Sequence, residues 1–478
     1  MKDLEMYIDG QFIENRSGKW INVLNPSTEE VISRMPDGTV DDVRAAIDAA
    51  EKAQGAWELL TSIERAQYLT KIAQGIRNRE KELTDIIVRE GGKTQGLANV
   101  EVNFTADYID YMAGWARRYE GEIIPSDRPH ETIFVFKKPI GVTTGILPWN
   151  FPFFLVARKA APAMLTGNTI VLKPSQLTPE NAYVFAQIVD EVGVPKGVFN
   201  IVNGRGSVVG HEMAANPKVG MVSLTGSVSA GVQTMEAASA NVTKVSLELG
   251  GKAPAIVMPD ADLDLTVKSI IASRVINTGQ VCNCCERVYV HSSIKDAFIE
   301  KLLDGFGKVK VGNPNEVADL DMGPLIDAGA LKSVEEKVGK AVKQGATLAY
   351  GGKRIGAKGY FFEPTLLTNC TQKMDIIQEE TFGPVLPVVE FTEVEDAITW
   401  ANDCEYGLTS SVYTQNLDMA FKLMRSLKFG ETYINRENFE AMQGFHAGWR
   451  KSGIGGADGK HGLEEYLQTH VVYLETQG

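Results

Sequence analysis

The feature that most constrains the fold is a regular alternation of short apolar runs with helical segments, which begins near residue 140. The runs lie at 169–172, 198–202, 219–224, 255–258 and 287–290, and each is followed by a helical pattern or a helix start signal. Strands that alternate with helices in this way form right-handed βαβ units around a parallel sheet. Because the alternation starts again after Gly251, the sequence predicts an α/β fold with two parallel-sheet units.

The regions outside this alternation have different patterns. Apolar residues at helical spacing predict helices over 40–57, 63–77, 83–88 and 104–115. The segment Thr132–Phe136 is β-rich and bounded by charge, which predicts a strand at a sheet edge or in a small separate sheet. Thr178 is predicted to cap a helix with Pro179 as its first residue, and Gly193 is predicted to end that helix.

Charge and targeting signals exclude several classes of partner. The chain has 48 Lys and Arg against 61 Asp and Glu, a net charge of −13, which repels nucleic acids and acidic membrane surfaces. The apolar stretch 139–157 contains prolines and glycines that argue against a membrane span. The N-terminus lacks the apolar core of a signal peptide, and the cysteines are few and odd in number. We therefore expect a cytoplasmic protein.

Cys282 is the first candidate for chemistry. It follows Asn277–Gly279, where a predicted helix runs out into glycine. A thiol with a pKa near ~8.5 is a few per cent thiolate at neutral pH, so Cys282 is a candidate nucleophile. Two other interpretations stay open: an ordinary buried thiol, or a metal ligand together with Cys284, Cys285 and His291. The C-x-C-C spacing lacks the paired knuckles of common zinc sites.

Glu248 and Asn150 are the next candidates. Glu248 ends a predicted strand between two leucines, and apolar neighbours around a carboxyl that faces a pocket would raise its pKa and make it a usable base. A structural acid paired with Lys252 or another cation is the alternative. Asn150 lies between Pro148 and Pro152, where it is either a turn residue or a rigidly placed oxyanion donor.

Two glycine turns compete as a phosphate-binding site. Gly204, Gly206 and Gly210 follow a strand and open a helix, but their spacing is one residue too long for the usual dinucleotide fingerprint. Thr225-Gly226-Ser227 follows the next strand and also opens a helix, where backbone amides can meet a pyrophosphate. Spacing alone does not choose between them.

Together, these segments resemble those of the NAD(P)-dependent aldehyde dehydrogenase superfamily, and the likeness runs over essentially the whole chain. Its landmarks in chain order are Pro148-Trp149-Asn150-Phe151-Pro152, Gly167-Asn168-Thr169, Lys173-Pro174-Ser175, Thr225-Gly226-Ser227, Glu248-Leu249-Gly250-Gly251-Lys252, Gly279-Gln280-Val281-Cys282 and Glu379-Glu380-Thr381-Phe382-Gly383-Pro384. Independent coincidence at all of these is improbable.

The resemblance implies a catalytic role for four residues, with Lys173 counted among them. Cys282 would attack the aldehyde, and Asn150 with the Cys282 amide would hold the oxyanion. Hydride transfer to the nicotinamide would leave a thioester, which water would hydrolyse with Glu248 as general base. Because members that transfer the acyl group to coenzyme A lack that base, the resemblance implies a free acid as product.

The resemblance also implies the cofactor contacts. Lys173 and Glu380 match positions that bind ribose hydroxyls. Phe382 matches a position beside the nicotinamide ribose, and Ser227 matches one near the pyrophosphate. The Gly204 turn would then form a wall on the adenine side. The full implied set is Trp149, Lys173, Ser175, Gln176, Gly206, Gly226, Ser227, Leu249, Glu380 and Phe382, with no metal. Gln176 stands where many NAD-preferring members have an acidic residue, and a neutral amide would not repel a 2′-phosphate. The expected cofactor is NAD, with NADP tolerated.

Within the superfamily the chain most resembles the bacterial lactaldehyde and glycolaldehyde dehydrogenases, on segments 105–112 and 433–446. In this likeness Arg158, Glu440 and His446, with Phe151, would line the substrate mouth and suit a small 2-hydroxyaldehyde. Alternatively, these polar residues only brace a loop. A broad-range enzyme, one for longer, aromatic or succinate semialdehyde substrates, or a non-catalytic structural protein on the same fold also stay open.

The resemblance implies three parts and a homo-oligomer. Residues 1–120 and 140–250 would bind the cofactor, 251–450 would form the catalytic domain, and 121–139 with 463–478 would form a small β flap for oligomerisation. The terminal segment alternates like an edge strand that pairs across subunits, and the family implies a tetramer built from dimers. Cys284 and Cys285 would either pack or, on oxidation, form a disulfide or sulfenamide that affects Cys282.

Overall fold

The N-terminal third is mainly helical, as its periodicity predicts. The structure is a computed structural model that describes residues 2–477. Its first elements are β1 Lys2–Asp3, β2 Met6–Ile8, β3 Gln11–Ile13, β4 Trp20–Leu24, β5 Val31–Pro36, α1 Val40–Leu59, α2 Ser62–Asn78, α3 Glu80–Gly91, α4 Gln95–Ala113 and β6 Glu122–Pro125. Capping boxes at Thr39 and Thr61 fix where α1 and α2 begin. All the predicted N-terminal helices are confirmed, although the last ends as a 3-10 turn over Gly114–Arg117.

The first parallel sheet comes from the middle of the chain. The elements are β7 Glu131–Pro139, β8 Val142–Ile146, α5 Pro152–Leu165, β9 Thr169–Lys173, α6 Glu180–Val192, β10 Phe199–Ile201, α7 His211–Ala215, β11 Met221–Thr225, α8 Val228–Ser239 and β12 Lys244–Glu248. The strands β12, β11, β8, β9 and β10 pair in that order, all parallel. The antiparallel β2 and β3 extend the sheet beyond β10.

Two local predictions in this region need correction. Helix α6 begins one residue later than predicted, with Pro179 in the cap position, because the Thr178 hydroxyl donates to the carbonyl of Trp149 instead of capping the helix. Gly193 ends α6 in a left-handed conformation, as predicted. The helix predicted after Gly204 is a π-helical turn over Gly206–Gly210 that leads into the short α7.

The second parallel sheet comes from the last third of the chain. The elements are β13 Pro254–Val257, α9 Leu263–Val275, β14 Arg287–His291, α10 Lys295–Gly307, α11 Ala328–Lys343, β15 Thr347–Tyr350, β16 Thr365–Thr368, α12 Asp375–Gln378, β17 Val385–Phe391, α13 Val394–Asn402, β18 Thr409–Tyr413, α14 Leu417–Ser426, β19 Glu431–Ile434, β20 Gly453–Ile454, α15 Gly459–Glu464 and β21 Leu467–Glu475. Its order is β15-β16-β17-β14-β13-β18-β19, parallel except at β15. The predicted α/β class with two parallel sheets is confirmed.

Two smaller sheets complete the fold. β1, β5 and β4 form one of them. In the other, β7 lies between β21 and β6, with Leu467 opposite Pro139 and Glu475 opposite Glu131. The segment Thr132–Phe136 is therefore in a small separate sheet, as one of the two predicted options, but in its middle strand. The edge position is wrong because both flanking segments pair with it.

Helix α5 links the first sheet to the candidate site. Every residue of α5 is buried, including Arg158 and Lys159, and Pro152 occupies its first turn. A helix that is covered on all sides carries charged residues only where they meet partners. Its apolar residues join the core cluster that packs α2, α4 and α6 against the sheet. No helix within residues 2–477 is long and apolar enough to cross a membrane.

Candidate active site

The loop that carries Cys282 is held in a strained conformation. Asn277, Thr278 and Gly279 have φ of 46°, 60° and 73°, a left-handed run that non-glycine residues rarely adopt. A Cβ on Gly279 would lie 2.3 Å from the carbonyl oxygen of Gly383, so no larger residue fits there. The Gln280 side chain ties the loop to a distant segment, because its Oε1 accepts a hydrogen bond from the Ile326 amide at 2.8 Å. The strain and the locking fix the position of the following thiol.

Asn150 is held against this loop. Its Nδ2 donates to the carbonyl of Gln280 at 3.1 Å, and its own carbonyl accepts from Asn277 Nδ2 at 3.3 Å. These partners are about 130 positions away in the chain, so the side chain is not a local turn residue. Among the described residues the backbone N–H of Cys282 makes no hydrogen bond. That amide and the second hydrogen of Asn150 Nδ2 are thus free to donate to a ligand oxygen.

A narrow cavity of about 60 Å³ joins these groups. Cys282, Asn150, Phe151, Arg158, Glu440 and His446 all line it. The side chains of Phe104, Phe154, Leu155 and Phe439 cover its apolar walls. The structure therefore places the predicted nucleophile, oxyanion donor and substrate residues around one space. Glu248 is the predicted catalytic residue near this region that does not line the cavity.

Glu248 ends β12 and is buried next to the cavity, on the far side of Arg158. Thr225 Oγ1 donates to its Oε2, Lys159 Nζ lies 3.5 Å from Oε2, and Arg158 Nε lies 3.7 Å from Oε1. Burial by itself raises the pKa of this carboxyl, but the charges of Arg158 and Lys159 outweigh that effect and hold the pKa at about 2. The prediction that its pKa is raised is wrong, because α5 brings two cations to it.

The alternative for Glu248, an acid paired with Lys252 or another cation, holds for other cations, Arg158 and Lys159, and not for Lys252. Lys252 Nζ lies 2.7 Å from Glu286 Oε2, and Arg274 Nη1 lies 3.0 Å from Glu286 Oε1. This buried group is separate from Glu248. It supports the neighbouring segment, because Glu286 also accepts from the amide of Thr381.

Arg158 connects the base to the polar side of the cavity. Its Nε donates to Asp458 Oδ1 at 2.9 Å and its Nη2 donates to the second oxygen of the same carboxylate. Nη2 also lies 3.7 Å from Glu440 Oε1. Asn283 Nδ2 donates to the other oxygen of Glu440. Such a bidentate, buried pair fixes the plane of the guanidinium group.

His446 is the most enclosed member of the polar side, with 3% of its surface exposed. Its Nδ1 lies 2.5 Å from Glu431 Oε1, and Tyr433 donates its hydroxyl to the other oxygen of Glu431. Burial favours the neutral ring, but the charge of the Glu431 carboxylate outweighs burial and holds the pKa of His446 well above its usual value.

A second, larger cleft lies at the carboxyl ends of β8 and β11. Its volume is about 480 Å³, and its lining includes Ile146, Gly206, Gly210, Leu224 and Ala230. Ligands of parallel sheets bind at this edge. The predicted Gly206 turn thus forms one wall of the cleft. Helix α8 forms the other wall, and its N-cap is Ser227 of the predicted Gly226-Ser227 turn.

The surroundings of Lys173 and Gly210 show whether this cleft is suited to a dinucleotide. Lys173 ends β9, and burial lowers the pKa of its ammonium group to about 8. Its Nζ donates to the carbonyl of Pro174 at 3.0 Å, and within residues 2–477 no carboxylate pairs with it. A Cβ on Gly210 would fill the space beside the Lys173 side chain, at 3.9 Å from its Cδ. A buried ammonium group that has no carboxylate partner and only one carbonyl acceptor, beside an open glycine wall, fits a ligand rich in hydroxyl groups.

Trp149, Phe382 and Glu380 are predicted cofactor residues that do not line the 480 Å³ cleft. Trp149, next to Asn150, meets the Phe382 ring edge-on at 5.6 Å. Glu380 Oε1 accepts from the Gly251 amide, and burial with the nearby Glu286 charge raises the pKa of Glu380 to about 7.

Three further predicted contacts differ in exposure. Leu249 packs with Leu224 and Leu247 in an apolar cluster beside α8. The Ser175 side chain is almost buried, whereas Gln176 is exposed. Neither Ser175 nor Gln176 lines the 480 Å³ cleft.

Comparison with known proteins identifies the family. A family model described as "Aldehyde dehydrogenase family" matches residues 12–472. The chain belongs to the aldehyde dehydrogenase family. It is therefore an NAD(P)-dependent oxidoreductase, as the resemblance of its motifs implies.

Several aldehyde dehydrogenases of known activity or structure are similar to this chain. The lactaldehyde dehydrogenase of Escherichia coli K12 is 67% identical over 471 residues, 98% of each chain. The 3,6-anhydro-alpha-L-galactose dehydrogenase of a Vibrio species is 44% identical over 99% of each chain. A crystal structure of the E. coli lactaldehyde dehydrogenase has a TM-score of 0.99 and 66% identity, covering 99% of this chain and 100% of that one. A 3,6-anhydro-L-galactose dehydrogenase in complex with NADP has a TM-score of 0.97 at 41% identity, covering 99% of this chain and 100% of that one.

The other cysteines of this aldehyde dehydrogenase have structural surroundings. Cys284 accepts from Arg274 Nη2 and donates to the Val281 carbonyl, and burial raises the pKa of both Cys284 and Cys285 to about 12. Neutral, enclosed thiols favour packing over reaction with an oxidised Cys282. Among residues 2–477 no cluster of three or more His, Cys, Asp or Glu side chains is arranged to hold a metal ion.

Sequence reasoning missed Asp458, Glu431 and Lys159, and it assigned Thr225 to a phosphate-binding turn without its contact to Glu248. All four act on predicted residues from elsewhere in the chain: Asp458 on Arg158, Glu431 on His446, and the other two on Glu248. The position of Asp458 in a glycine-rich loop, between Ala457 and Gly459, carried a weak signal, since polar residues there often serve loop geometry. Lys159 next to Arg158 in an apolar helix was the stronger signal, because charged residues inside such a helix need partners.

Proposed function

We propose that this enzyme oxidises small 2-hydroxyaldehydes, such as lactaldehyde or glycolaldehyde, to the free carboxylic acids, with NAD as the main cofactor. The proposal is supported by the cavity that has Cys282 and Asn150 on one side and Arg158, Glu440 and His446 on the other. The names of the similar lactaldehyde dehydrogenases support the same substrate class.

The reaction begins at Cys282. The sulfur attacks the carbonyl carbon, a C–S bond forms, and the carbonyl electron pair moves onto oxygen. Asn150 Nδ2 and the Cys282 amide donate to that oxyanion, since both have hydrogens that other described groups do not use. A donor of this kind is worth about 3–4 kcal/mol of barrier because it is already oriented in a dry site.

The cofactor contributes one step. A bound dinucleotide would supply the acceptor for the hydride that leaves the substrate carbon, and loss of that hydride would turn the adduct on Cys282 into a thioester. Lys173, whose ammonium group has no carboxylate partner among the described residues, and the Gly206 and Ser227 walls are the groups we expect to hold the dinucleotide. Phe382 and Trp149 would hold its reactive end near Cys282.

Glu248 then completes the reaction. Water attacks the thioester carbon, Glu248 takes a proton from that water, and the C–S bond breaks to release the acid and the thiolate. In its place between Arg158 and Lys159 the carboxylate is a weak base, because its pKa is about 2. We propose that it turns away from those cations toward the apolar cavity, where its pKa rises and it becomes an effective base.

The polar side of the cavity accounts for the substrate class. A hydroxyl at the carbon next to the carbonyl can donate to Glu440 and accept from Arg158, which lie 3.7 Å apart. A site whose buried polar groups form hydrogen bonds with a substrate hydroxyl discriminates against an aldehyde that lacks it, because those groups are then left unpaired. A substrate that differs from lactaldehyde only by one methyl group is discriminated much less strongly, because no buried polar group then loses its partner.

Cofactor tolerance, assembly and location complete the proposal. Gln176 is exposed and neutral, so NADP is tolerated because no carboxylate repels its 2′-phosphate. β21 is an edge strand of the small sheet with β7, and we propose that this edge pairs between subunits in a tetramer of two dimers. We place the enzyme in the cytoplasm, with the cofactor domain at 1–120 and 140–250, the catalytic domain at 251–450 and the flap at 121–139 and 463–478.

Steady-state kinetics test the substrate and cofactor together. We expect kcat/KM for lactaldehyde and glycolaldehyde to exceed that for propanal by at least tenfold with NAD, since one hydrogen bond to a charged group is worth about 1.5–3 kcal/mol. Butanal, benzaldehyde and succinate semialdehyde serve as comparisons. Equal or higher values for propanal contradict the substrate class, and no NADH from any aldehyde contradicts the function. NAD and NADP that differ by several orders of magnitude contradict the cofactor tolerance.

A further inference from the structure

We propose that Glu286 is a positioning residue for the cofactor. Its buried carboxylate holds the segment 380–382 beside the loop that carries Cys282, and it thereby sets where the reactive end of the dinucleotide lies relative to the sulfur. The inference deepens the proposed function and rests on it in taking 380–382 as the segment that meets the nicotinamide half. Glu286 lines neither the cavity of about 60 Å³ nor the cleft of about 480 Å³, so it acts through this segment and not by contact with a ligand.

Four donors converge on the Glu286 carboxylate. Its Oε1 accepts from the Phe382 amide at 3.1 Å and lies 3.0 Å from Arg274 Nη1. Its Oε2 accepts from the Thr381 amide at 2.9 Å and from Lys252 Nζ at 2.7 Å. A carboxylate offers about four acceptor positions, so all of those on Glu286 are used. The three charged side chains have at most 1% of their surface exposed, so water does not compete for the carboxylate.

The two amides belong to a segment whose conformation needs an anchor. Phe382 has a φ of 53°, a left-handed conformation that a bulky residue rarely adopts. Such a conformation persists only where the surrounding structure imposes it. Here Glu286 binds the amides of Thr381 and Phe382 in succession, and Lys252 Nζ also donates to Thr381 Oγ1 at 3.2 Å. The carboxylate therefore fixes the backbone of this segment.

The same buried group holds the loop of the nucleophile. Arg274 Nη2 donates to the Gly279 carbonyl at 2.5 Å, and Arg274 Nη1 donates to the Cys285 carbonyl at 2.8 Å, so the two bonds lie on either side of the nucleophile in the chain. The two segments also touch directly, because a Cβ on Gly279 would lie 2.3 Å from the Gly383 carbonyl oxygen. Glu286 thus joins the nucleophile loop, through Arg274, to the segment 380–382.

The segment carries a free carboxylate oxygen and an aromatic ring next to the nucleophile loop. Glu380 Oε1 accepts from the Gly251 amide at 2.8 Å, whereas its Oε2 makes no hydrogen bond within residues 2–477. The Phe382 ring meets Trp149 edge-on at 5.6 Å. A free carboxylate oxygen fits a ribose hydroxyl, and a shift of about 1 Å in such a site can slow a reaction about 10²-fold. Loss of the Glu286 anchor should therefore weaken binding of the nicotinamide half and slow hydride transfer.

Cofactor binding without aldehyde tests the inference. Glu286→Gln keeps the length of the side chain but replaces one oxygen by an NH2 group, which cannot accept from the donors that surround it. We expect the Kd of NADH, followed by its fluorescence, to rise at least about tenfold, as on loss of one hydrogen bond between a ribose hydroxyl and the charged Glu380. The Kd of ADP, followed by calorimetry, should equal that of the wild type, because ADP lacks the nicotinamide and its ribose. A general loss of structure would weaken both ligands alike.

A milder variant and a control complete the comparison. Glu286→Asp keeps the charge that Lys252 and Arg274 require, but its carboxylate is one methylene shorter and does not reach both cations and both amides. The Kd of NADH should therefore rise at least about threefold, with that of ADP unchanged. Glu390→Gln is the matched control, because this exposed carboxylate in the same sheet pairs with Lys295 at the surface. Both of its Kd values should equal those of the wild type.

The outcomes are distinct. A wild-type Kd of NADH in Glu286→Asp, or in Glu286→Gln that is folded by circular dichroism, overturns the inference, and so does an equal loss of affinity for NADH and ADP. Hydrogen exchange of the wild type needs no variant to fold: the amides of Thr381 and Phe382 should be protected without cofactor, and their rapid exchange also overturns the inference.

NADH formation from lactaldehyde separates this inference from the proposed function. It is measured for the wild type on the same preparation that is used for binding. Its absence removes the proposed function. Normal NADH formation by the wild type, together with unchanged Kd values in the variants, removes this inference alone.

Discussion

Replacing Glu248 by glutamine separates the two halves of the proposed reaction. Glutamine keeps the side-chain length and still accepts a hydrogen bond from Thr225, but it cannot take a proton from water. A positioned general base is worth roughly 10²–10⁴ in rate. That factor corresponds to about 3–5 kcal/mol of barrier. We therefore expect steady-state kcat for lactaldehyde to fall by that factor.

Rapid mixing with NAD and lactaldehyde shows where the loss occurs. Attack by Cys282 and oxidation precede the step that needs Glu248, so Glu248→Gln should still give a rapid burst of one NADH per active site, followed by a slow phase. Glu405→Gln is a suitable control, because this exposed carboxylate pairs with Lys451 at the surface. It should keep both phases.

Two results refute the reasoning in different ways. Steady-state turnover within twofold of the wild type means that another group activates the water. A lost burst in a folded variant means that Glu248 is needed before the thioester forms, which the proposed mechanism does not include. Circular dichroism and retained Cys282 alkylation establish that the variant is folded.

The same substitution has a stability effect with a defined pH dependence. The pKa of Glu248 falls from 4.5 to about 2 on folding, which is worth about 3 kcal/mol at neutral pH. Because the folded pKa is lowered, this contribution is present above pH ~4.5 and is lost as the pH falls toward ~2. Urea unfolding should show Glu248→Gln less stable than the wild type at pH 7, with a gap that narrows below pH 4.5. A gap that stays constant contradicts the charge pairing of Glu248 with Arg158 and Lys159.

Three other substitutions test single residues of the site. Asn150→Ala should lower kcat by about 10²–10³ without changing the alkylation rate of Cys282, and a loss below threefold removes the oxyanion role. Gln176→Glu should raise the KM for NADP at least about fivefold and leave that for NAD within twofold, since like charges near a surface cost about 1 kcal/mol or more. Equal effects on the two KM values contradict contact with the 2′-phosphate. Glu440→Leu should lower kcat/KM for lactaldehyde about tenfold more than for propanal, because only the first has a hydroxyl to bind. Equal losses assign Glu440 to loop support.

The fold was predictable where the signal is local and repeated. Alternating apolar runs predict the parallel strands because each strand must be buried on both faces and each helix on one. The position of β7 in its small sheet was not predictable, because β21 pairs with it from more than 300 residues away. Pairing of distant strands leaves no signal in either segment alone. The start of α6 failed for a similar reason, since Thr178 found a distant acceptor at Trp149.

The candidate site was predictable in its residues but not in its charges. Motif resemblance named Cys282, Asn150 and Glu248, and the structure brings the first two to one cavity. The expected direction of the Glu248 pKa shift was wrong, because two cations outweigh the effect of burial on the carboxyl. Lys159 and Arg158, about 90 positions earlier, decide that shift. Electrostatics depend on distances that a sequence does not contain.

One cation links the base to the substrate site, and this determines how variants should be interpreted. Arg158 lies 3.7 Å from Glu248 and 3.7 Å from Glu440, while Asp458 holds its guanidinium plane. We expect a ligand hydroxyl that engages Glu440 and Arg158 to weaken the contact of that cation with Glu248, which would favour the proposed turn of the carboxylate toward the thioester. Correct substrates would then promote their own hydrolysis. A change at Arg158 affects recognition and deacylation together, so only substitutions at Glu440 and Glu248 separate the two.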